Sequence, residues 1–105
     1  MDKLLQILRR TGIPFAYDHY AEGEAIPPPF ICYLLPGSDN FSADGRVYHK
    51  VSEVHIELYT DKKDLSAEGK VEDALDSGGV FYDKTEVWIA DEKLYEVLYI
   101  FEMEV

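Results

Sequence analysis

The chain has 105 residues, 47 % of them hydrophobic and 13 % aromatic, with a formal net charge of −11. That length makes one domain with a single core, and the apolar content is too high for a disordered segment. So acidic a balance excludes a surface built to grip nucleic acid, which needs clustered Lys and Arg.

Asp2 to Thr11 reads as a helix. Leu4, Leu5 and Leu8 share one face with Ile7 beside them, Arg9 and Arg10 complement the dipole in the last turn, and Gly12 stands where a left-handed cap belongs. Ile13 to Tyr20 reads as a strand, and Ala21 to Pro29 as a loop whose three prolines impose an extended entry into the next element. Phe30 to Leu35 is a second strand, apolar on both faces, and Pro36-Gly37-Ser38 should break it.

Asp44-Gly45 lies between short β-prone runs and suits a type I′ hairpin turn, which needs φ > 0 at both central residues. The long strand that follows alternates: Val54, Ile56 and Leu58 on one face, Glu53, His55, Glu57 and Tyr59 on the other. Asp61-Lys62-Lys63-Asp64 ends it. Leu65 to Ser77 then reads as a helix with Asp64 as N-cap. Leu65, Val71, Ala74 and Leu75 form its apolar stripe, Glu68, Lys70, Glu72, Asp73 and Asp76 face water, and Gly78-Gly79 ends it. Val80 to Ile89 and Leu94 to Val105 form a closing antiparallel pair around Ala90-Asp91-Glu92-Lys93. The fold expected is α+β, a mainly antiparallel sheet with two helices packed on one face, in a single domain spanning residues 1–105.

The last strand is apolar on both sides. Tyr95, Val97, Tyr99, Phe101, Met103 and Val105 fall on one face, and Leu94, Leu98 and Ile100 fall on the other with Glu96, Glu102 and Glu104. Two short helices cover one face of such a sheet. The second face is either buried within the monomer as a central strand or closed by another subunit.

Chemistry-bearing residues form no recognised motif. The single Cys32 sits in an apolar run and reads as a buried structural thiol, which implies no oxidising compartment. His55, Glu57 and Glu53 share a strand face, but a closed zinc site needs about four ligands, and no Cys pair or second His follows at a suitable spacing. His19 and His49 stand isolated among tyrosines, the serines lack a nucleophile elbow, and the glycines make no phosphate cradle. No catalytic residue, metal ligand set or cofactor is therefore expected. Met1 to Arg10 is too short and too charged for a signal peptide, and no apolar run could span a membrane, so an intracellular protein is expected.

The charge is uneven: residues 1–52 carry six acids and five bases, residues 53–105 fifteen acids and five bases. Such an acidic half gives solubility, repels DNA, or meets a basic partner. In the hairpin, Asn40, Phe41, Asp44, Arg46 and Tyr48 have little reason to enter a core. They are candidate interface residues with the two aromatics as anchors, unless those rings only pair with each other across the strands. Tyr95 and Tyr99 of the last strand join them as interface candidates.

Several local strings, in this order, resemble the small tail-terminator proteins of long-tailed phages and prophages, also called tail-completion or head–tail joining proteins. They are Gly12-Ile13-Pro14-Phe15-Ala16-Tyr17, Pro28-Pro29-Phe30-Ile31-Cys32-Tyr33, Ser38-Asp39-Asn40-Phe41-Ser42-Ala43-Asp44-Gly45, Val54-His55-Ile56-Glu57-Leu58-Tyr59-Thr60-Asp61-Lys62-Lys63 and Glu92-Lys93-Leu94-Tyr95. The resemblance covers nearly the whole chain, and its motifs are structural rather than chemical. It implies a non-enzymatic virion-assembly protein, found in the virion tail or in the bacterial cytoplasm during assembly. Such a protein would form a ring with its own copies, commonly six, cap the tail-tube protein and meet the head connector, with no membrane association and no tight nucleic-acid binding. In such a ring Glu53, Glu57, Glu68, Glu72, Asp73 and Asp76 are candidates for an acidic lumen that lets DNA slide. The competing readings are a small acidic DNA mimic that inhibits a basic protein partner, and an enzyme using His55 and Glu57.

Overall fold

The computed structural model describes residues 1–20, 26–38, 41–43, 46–49 and 51–104, with side chains for all of these except 41–43 and 46–49. In chain order the elements are α1 (Asp2–Arg10), β1 (Phe15–Tyr17), β2 (Phe30–Ser38), β3 (Phe41–Ala43), β4 (Arg46–His49), β5 (Val51–Thr60), α2 (Leu65–Ser77), β6 (Asp83–Ile89) and β7 (Leu94–Glu104). Five strands make one sheet in the order β1-β2-β5-β7-β6, and β3 and β4 pair separately. Among the described strands β1–β2 is parallel and the other pairings are antiparallel. The architecture is α+β, as the alternation of the strands implies.

Both helix ends are fixed by side-chain and glycine chemistry. Thr11 donates to the Leu8 carbonyl at 2.6 Å and accepts from the Ile13 amide at 3.1 Å, while Gly12 takes φ +71° beyond the last turn of α1. Asp64 Oδ1 accepts from the Ala67 amide at 3.0 Å, capping α2. At its other end Gly79 donates to the Asp76 carbonyl at 3.0 Å and Val80 to that of Leu75 at 3.1 Å, a Schellman closure with Gly79 at φ +71°. Gly78 lets the helices approach: a Cβ there would meet Ile7 Cδ1 at 2.8 Å.

The helices lie on the same side of the sheet. Leu4, Ile7 and Leu8 of α1 and Ala67, Val71, Ala74 and Leu75 of α2 pack with Ile31, Tyr33, Val54, Ile56, Leu58, Val97, Tyr99 and Phe101 in one buried cluster. The period-two alternation of β5 thus sends Val54, Ile56 and Leu58 into the core and leaves Glu53, His55, Glu57 and Tyr59 half-buried on the side without helices.

Four local expectations change. The first strand is three residues long, because Asp18 turns the chain away at φ +64°. Strand β2 runs through Pro36-Gly37 to Ser38; the register with β5 shifts between Leu34 and Gly37, so the irregularity is absorbed as a bulge. Leu65 is 72 % exposed and leaves the apolar stripe of α2. Glu68 takes a place in the buried face at 2 % exposure, where water was expected. The Asp44-Gly45 turn lies outside the described residues; Ala43 pairs with Arg46 on either side of it.

A candidate protein-interaction surface

The half-buried side of the sheet is the least explained surface of the described chain. Cross-strand rows define it: Ala16, Cys32, Glu57, Leu98 and Thr85; Phe30, Tyr59, Glu96 and Val87; Leu34, His55, Ile100 and Asp83. No described helix covers it. Phe30 stacks on Tyr59 with centroids 5.1 Å apart, and Tyr20 meets Phe30 edge-on at 5.5 Å, so one end of the face is aromatic. Toward the middle, carboxylates and apolar side chains alternate.

Burial and the crowding of acids there shift the protonation of Glu57. The Glu57 carboxyl is pushed up to about 7, first by burial, then by the neighbouring carboxylates of Glu96 and Asp18. The Cys32 thiol is pushed up to about 11 by burial and by Glu57, which suits an inert thiol rather than a nucleophile. Burial likewise raises the Tyr59 phenol, with Glu57 and Glu96 adding to it. Folded Glu57 therefore keeps its proton up to about pH 7, while an unfolded chain loses it in the ordinary carboxylate range. Its contribution to stability falls as pH rises between those limits and levels off above the upper one. Glu57→Gln should flatten that fall, with its largest gain over the wild type above pH 7. Urea midpoints at several pH values check this; parallel curves for the two proteins would contradict it.

His55 Nε2 lies 3.5 Å from Glu53 Oε2, whereas Glu57 turns to Glu96 and Tyr59. Among the described residues no three His, Cys, Asp or Glu are placed to share a metal ion. At one end of the sheet an open depression of about 790 Å³ is lined by Lys3, Glu53, Phe81, Asp83, Glu102 and Glu104 among others.

The opposite side holds a second charged group with a different role. Lys63 Nζ lies 2.9 Å from both Glu68 Oε2 and Glu86 Oε2; Lys84 Nζ lies 2.7 Å from both Glu68 Oε1 and Glu72 Oε2. Tyr99 donates to Glu72 Oε2 at 2.8 Å. Burial alone would raise the Glu68 carboxyl, but hydrogen bonds from Lys84 and Lys63 outweigh it and hold it below the ordinary range. These contacts tie α2 to β6 and β7.

The expected site residues are therefore split. Glu53 and Glu57 lie on the helix-free face. Glu68 and Glu72 are engaged with lysines on the helix side, and Asp73 and Asp76 are exposed on α2. The six acids do not share one surface. Tyr99 is fully buried in the core and offers no ring to a partner; Tyr95 is half-buried, tilted against Trp88 at 5.1 Å. Phe41, Arg46 and Tyr48 belong to β3 and β4, whose side chains, like the whole of Asn40 and Asp44, lie outside the described residues.

Sequence reasoning missed the exposed apolar groups around β6: Phe81 at 96 %, Val87 at 54 % and Trp88 at 46 % exposure. The available signal was the placement of β6 after a Gly-Gly break at the chain's penultimate strand, which suits a sheet edge. Among the described residues β6 pairs on one side only, with β7, and so presents a backbone edge, a surface that proteins use or protect. No protein-family model matches the chain. No protein of curated function matches it either.

Proposed function

We propose that the chain is a non-enzymatic structural protein of a phage or prophage tail, a terminator that caps the tail tube and joins it to the head connector. The observation that carries this reading is the sheet with both helices on one side. Its other face mixes half-buried apolar groups with carboxylates, beside an exposed edge strand. Such a surface suits assembly, because it has apolar area to bury. The ordered strings of the tail-terminator resemblance give the class of assembly.

The DNA-mimic reading is less well supported. A mimic needs free carboxylates in phosphate-like rows, and Glu68, Glu72 and Glu86 are already neutralised by Lys63 and Lys84.

Purified chain added to polymerising tail-tube protein should stop elongation and label one tube end in electron micrographs. Unchanged tube lengths with no chain at the ends would overturn the reading. Within the same assay Phe41→Ala with Tyr48→Ala should abolish capping while leaving the melting temperature unchanged, if the hairpin supplies the anchors. Full capping by that variant would remove the hairpin from the contact.

A further inference from the structure

The sheet has a notch in one edge. β7 pairs with β5 from Tyr95 to Glu104, but with β6 only from Leu94 to Ile100, where Asp83 is the partner. Phe101, Glu102 and Met103 therefore have a strand on the β5 side and, among the described residues, none on the other. The chain that enters β6 does not fill that place. Val80 donates to the Leu75 carbonyl, Tyr82 meets Tyr99 edge-on at 5.4 Å, and both pack against the core, which holds the connection from α2 on the helix side of the sheet. The depression of about 790 Å³ is this notch: Val80, Phe81 and Asp83 line one part of it, and Phe101, Glu102 and Met103 another. An antiparallel strand aims its amides and carbonyls alternately at its two neighbours, so backbone groups of Phe101–Met103 point into the notch.

Side chains around the notch select an occupant. Phe101 and Met103 are buried on the helix side, whereas Glu102 lies on the helix-free side, directly opposite Glu53. Asp83 shares that side, at the point where the ladder between β6 and β7 stops. A residue placed beside Glu102 in the lane of β6 would thus have Glu102 next to it, Glu53 one strand further and Asp83 two positions along. Lys3 is the one cation that lines the notch. Phe81, 96 % exposed, stands at its rim. We propose that the notch captures an extended segment of another protein with the alternation apolar–basic–apolar, added to β7 as a short strand in line with β6. Three ladder positions at ~3.4 Å each make the paired part about 10 Å long. Its central Lys or Arg meets the carboxylates of Glu102, Glu53 and Asp83, its flanking apolar side chains extend the rows of Phe101 and Met103, and Phe81 offers them a ring. Carboxylates alone would attract any cation; the open ladder is what makes the ligand an extended chain. The inference goes beyond the tail reading and stands without it.

Titration of the isotopically labelled chain with an end-blocked peptide, Val-Lys-Val-Lys-Val, followed by amide nuclear magnetic resonance, tests this. The amides of Phe101, Glu102 and Met103 should shift, and those that face the notch should exchange more slowly with solvent. The same peptide with Glu in place of Lys should bind about fivefold more weakly or worse. A lysine peptide N-methylated on every residue keeps the charge, loses the ladder donors and should not bind. Glu102→Lys, at an exposed position, should melt as the wild type does and lose the preference for lysine over glutamate. Phe81→Ala should weaken the lysine peptide without changing that preference. No shift at these amides up to millimolar peptide, or a Glu102→Lys chain that keeps the full preference, would overturn the inference. Equal binding of the N-methylated peptide would do the same, by reducing the notch to an acidic patch. So would shifts of these amides on concentrating the chain without peptide, because the occupant would then be a second copy.

Discussion

Ile56→Asp should leave the chain unfolded at room temperature. Ile56 is 0 % exposed in the middle of β5, opposite Tyr33 of β2 and Tyr99 of β7, with both helices packed over that side of the sheet. A carboxylate there has no partner, since the lysines of this side are held by Glu68, Glu72 and Glu86 toward β6. Burying it unpaired costs several kcal/mol, and loss of the isoleucine packing adds a further ~2 to 5 kcal/mol. A domain of this size has roughly 5 to 15 kcal/mol in total. Far-ultraviolet circular dichroism and a thermal scan read the outcome. Ile56→Val, which keeps the shape, should cost only about 1 kcal/mol. A cooperative native melt from the aspartate variant would mean that the faces of β5 are assigned the wrong way round.

The double substitution Lys63→Ala with Lys84→Ala should destabilise the domain by about 3 kcal/mol, near the lower end of the range for breaking a buried pair. The carboxylate at 2 % exposure loses both cations at once. The lower end applies because the two ammonium groups are themselves 39 % and 35 % exposed and partly screened by water. For a domain of this length the melting temperature should fall by roughly 12 to 24 °C. Adding Glu68→Leu to the pair of alanines should restore much of that, because no uncompensated charge then remains. The same group sets an acid limit. The folded Glu68 carboxyl lies below its ordinary range, so its stabilisation is present above that range and disappears as pH falls through the folded value. An alanine pair that melts with the wild type would show that the network contributes nothing.

Local chemistry was legible in the sequence wherever it acts over a few residues. Asp64 caps α2 from the position its spacing predicts, Gly12 takes the left-handed conformation after α1, and β5 alternates as its pattern demands. Failures came where distant residues decide. Glu68 enters the core because Lys63 and Lys84 arrive from β5's exit and from β6, which no helical pattern reveals. Pro36-Gly37 does not end β2 because β5 continues to pair beyond it through Glu53 and Ser52. Leu65 lies at the start of α2 with nothing beneath it, although its place on the helical wheel suited the stripe.

The same division holds for the candidate surface. That β7 is apolar on both sides is plain in its alternation, and it pointed to a face needing cover. Which side the helices choose is a matter of packing: Tyr99 went to the core with its hydroxyl on Glu72, while Leu98 and Ile100 were left on the other side. The raised Glu57 carboxyl arises first from burial in the folded sheet and then from Glu96 and Asp18, residues far apart in the chain that only the folded sheet brings near it.

The measurement that tests the central claim most directly is the native mass of the chain, alone and after mixing with tail-tube protein. An assembly role through the helix-free face predicts a discrete multiple of the 12.0 kDa subunit, bound to tube protein in the mixture. A 12.0 kDa species in both samples would contradict it.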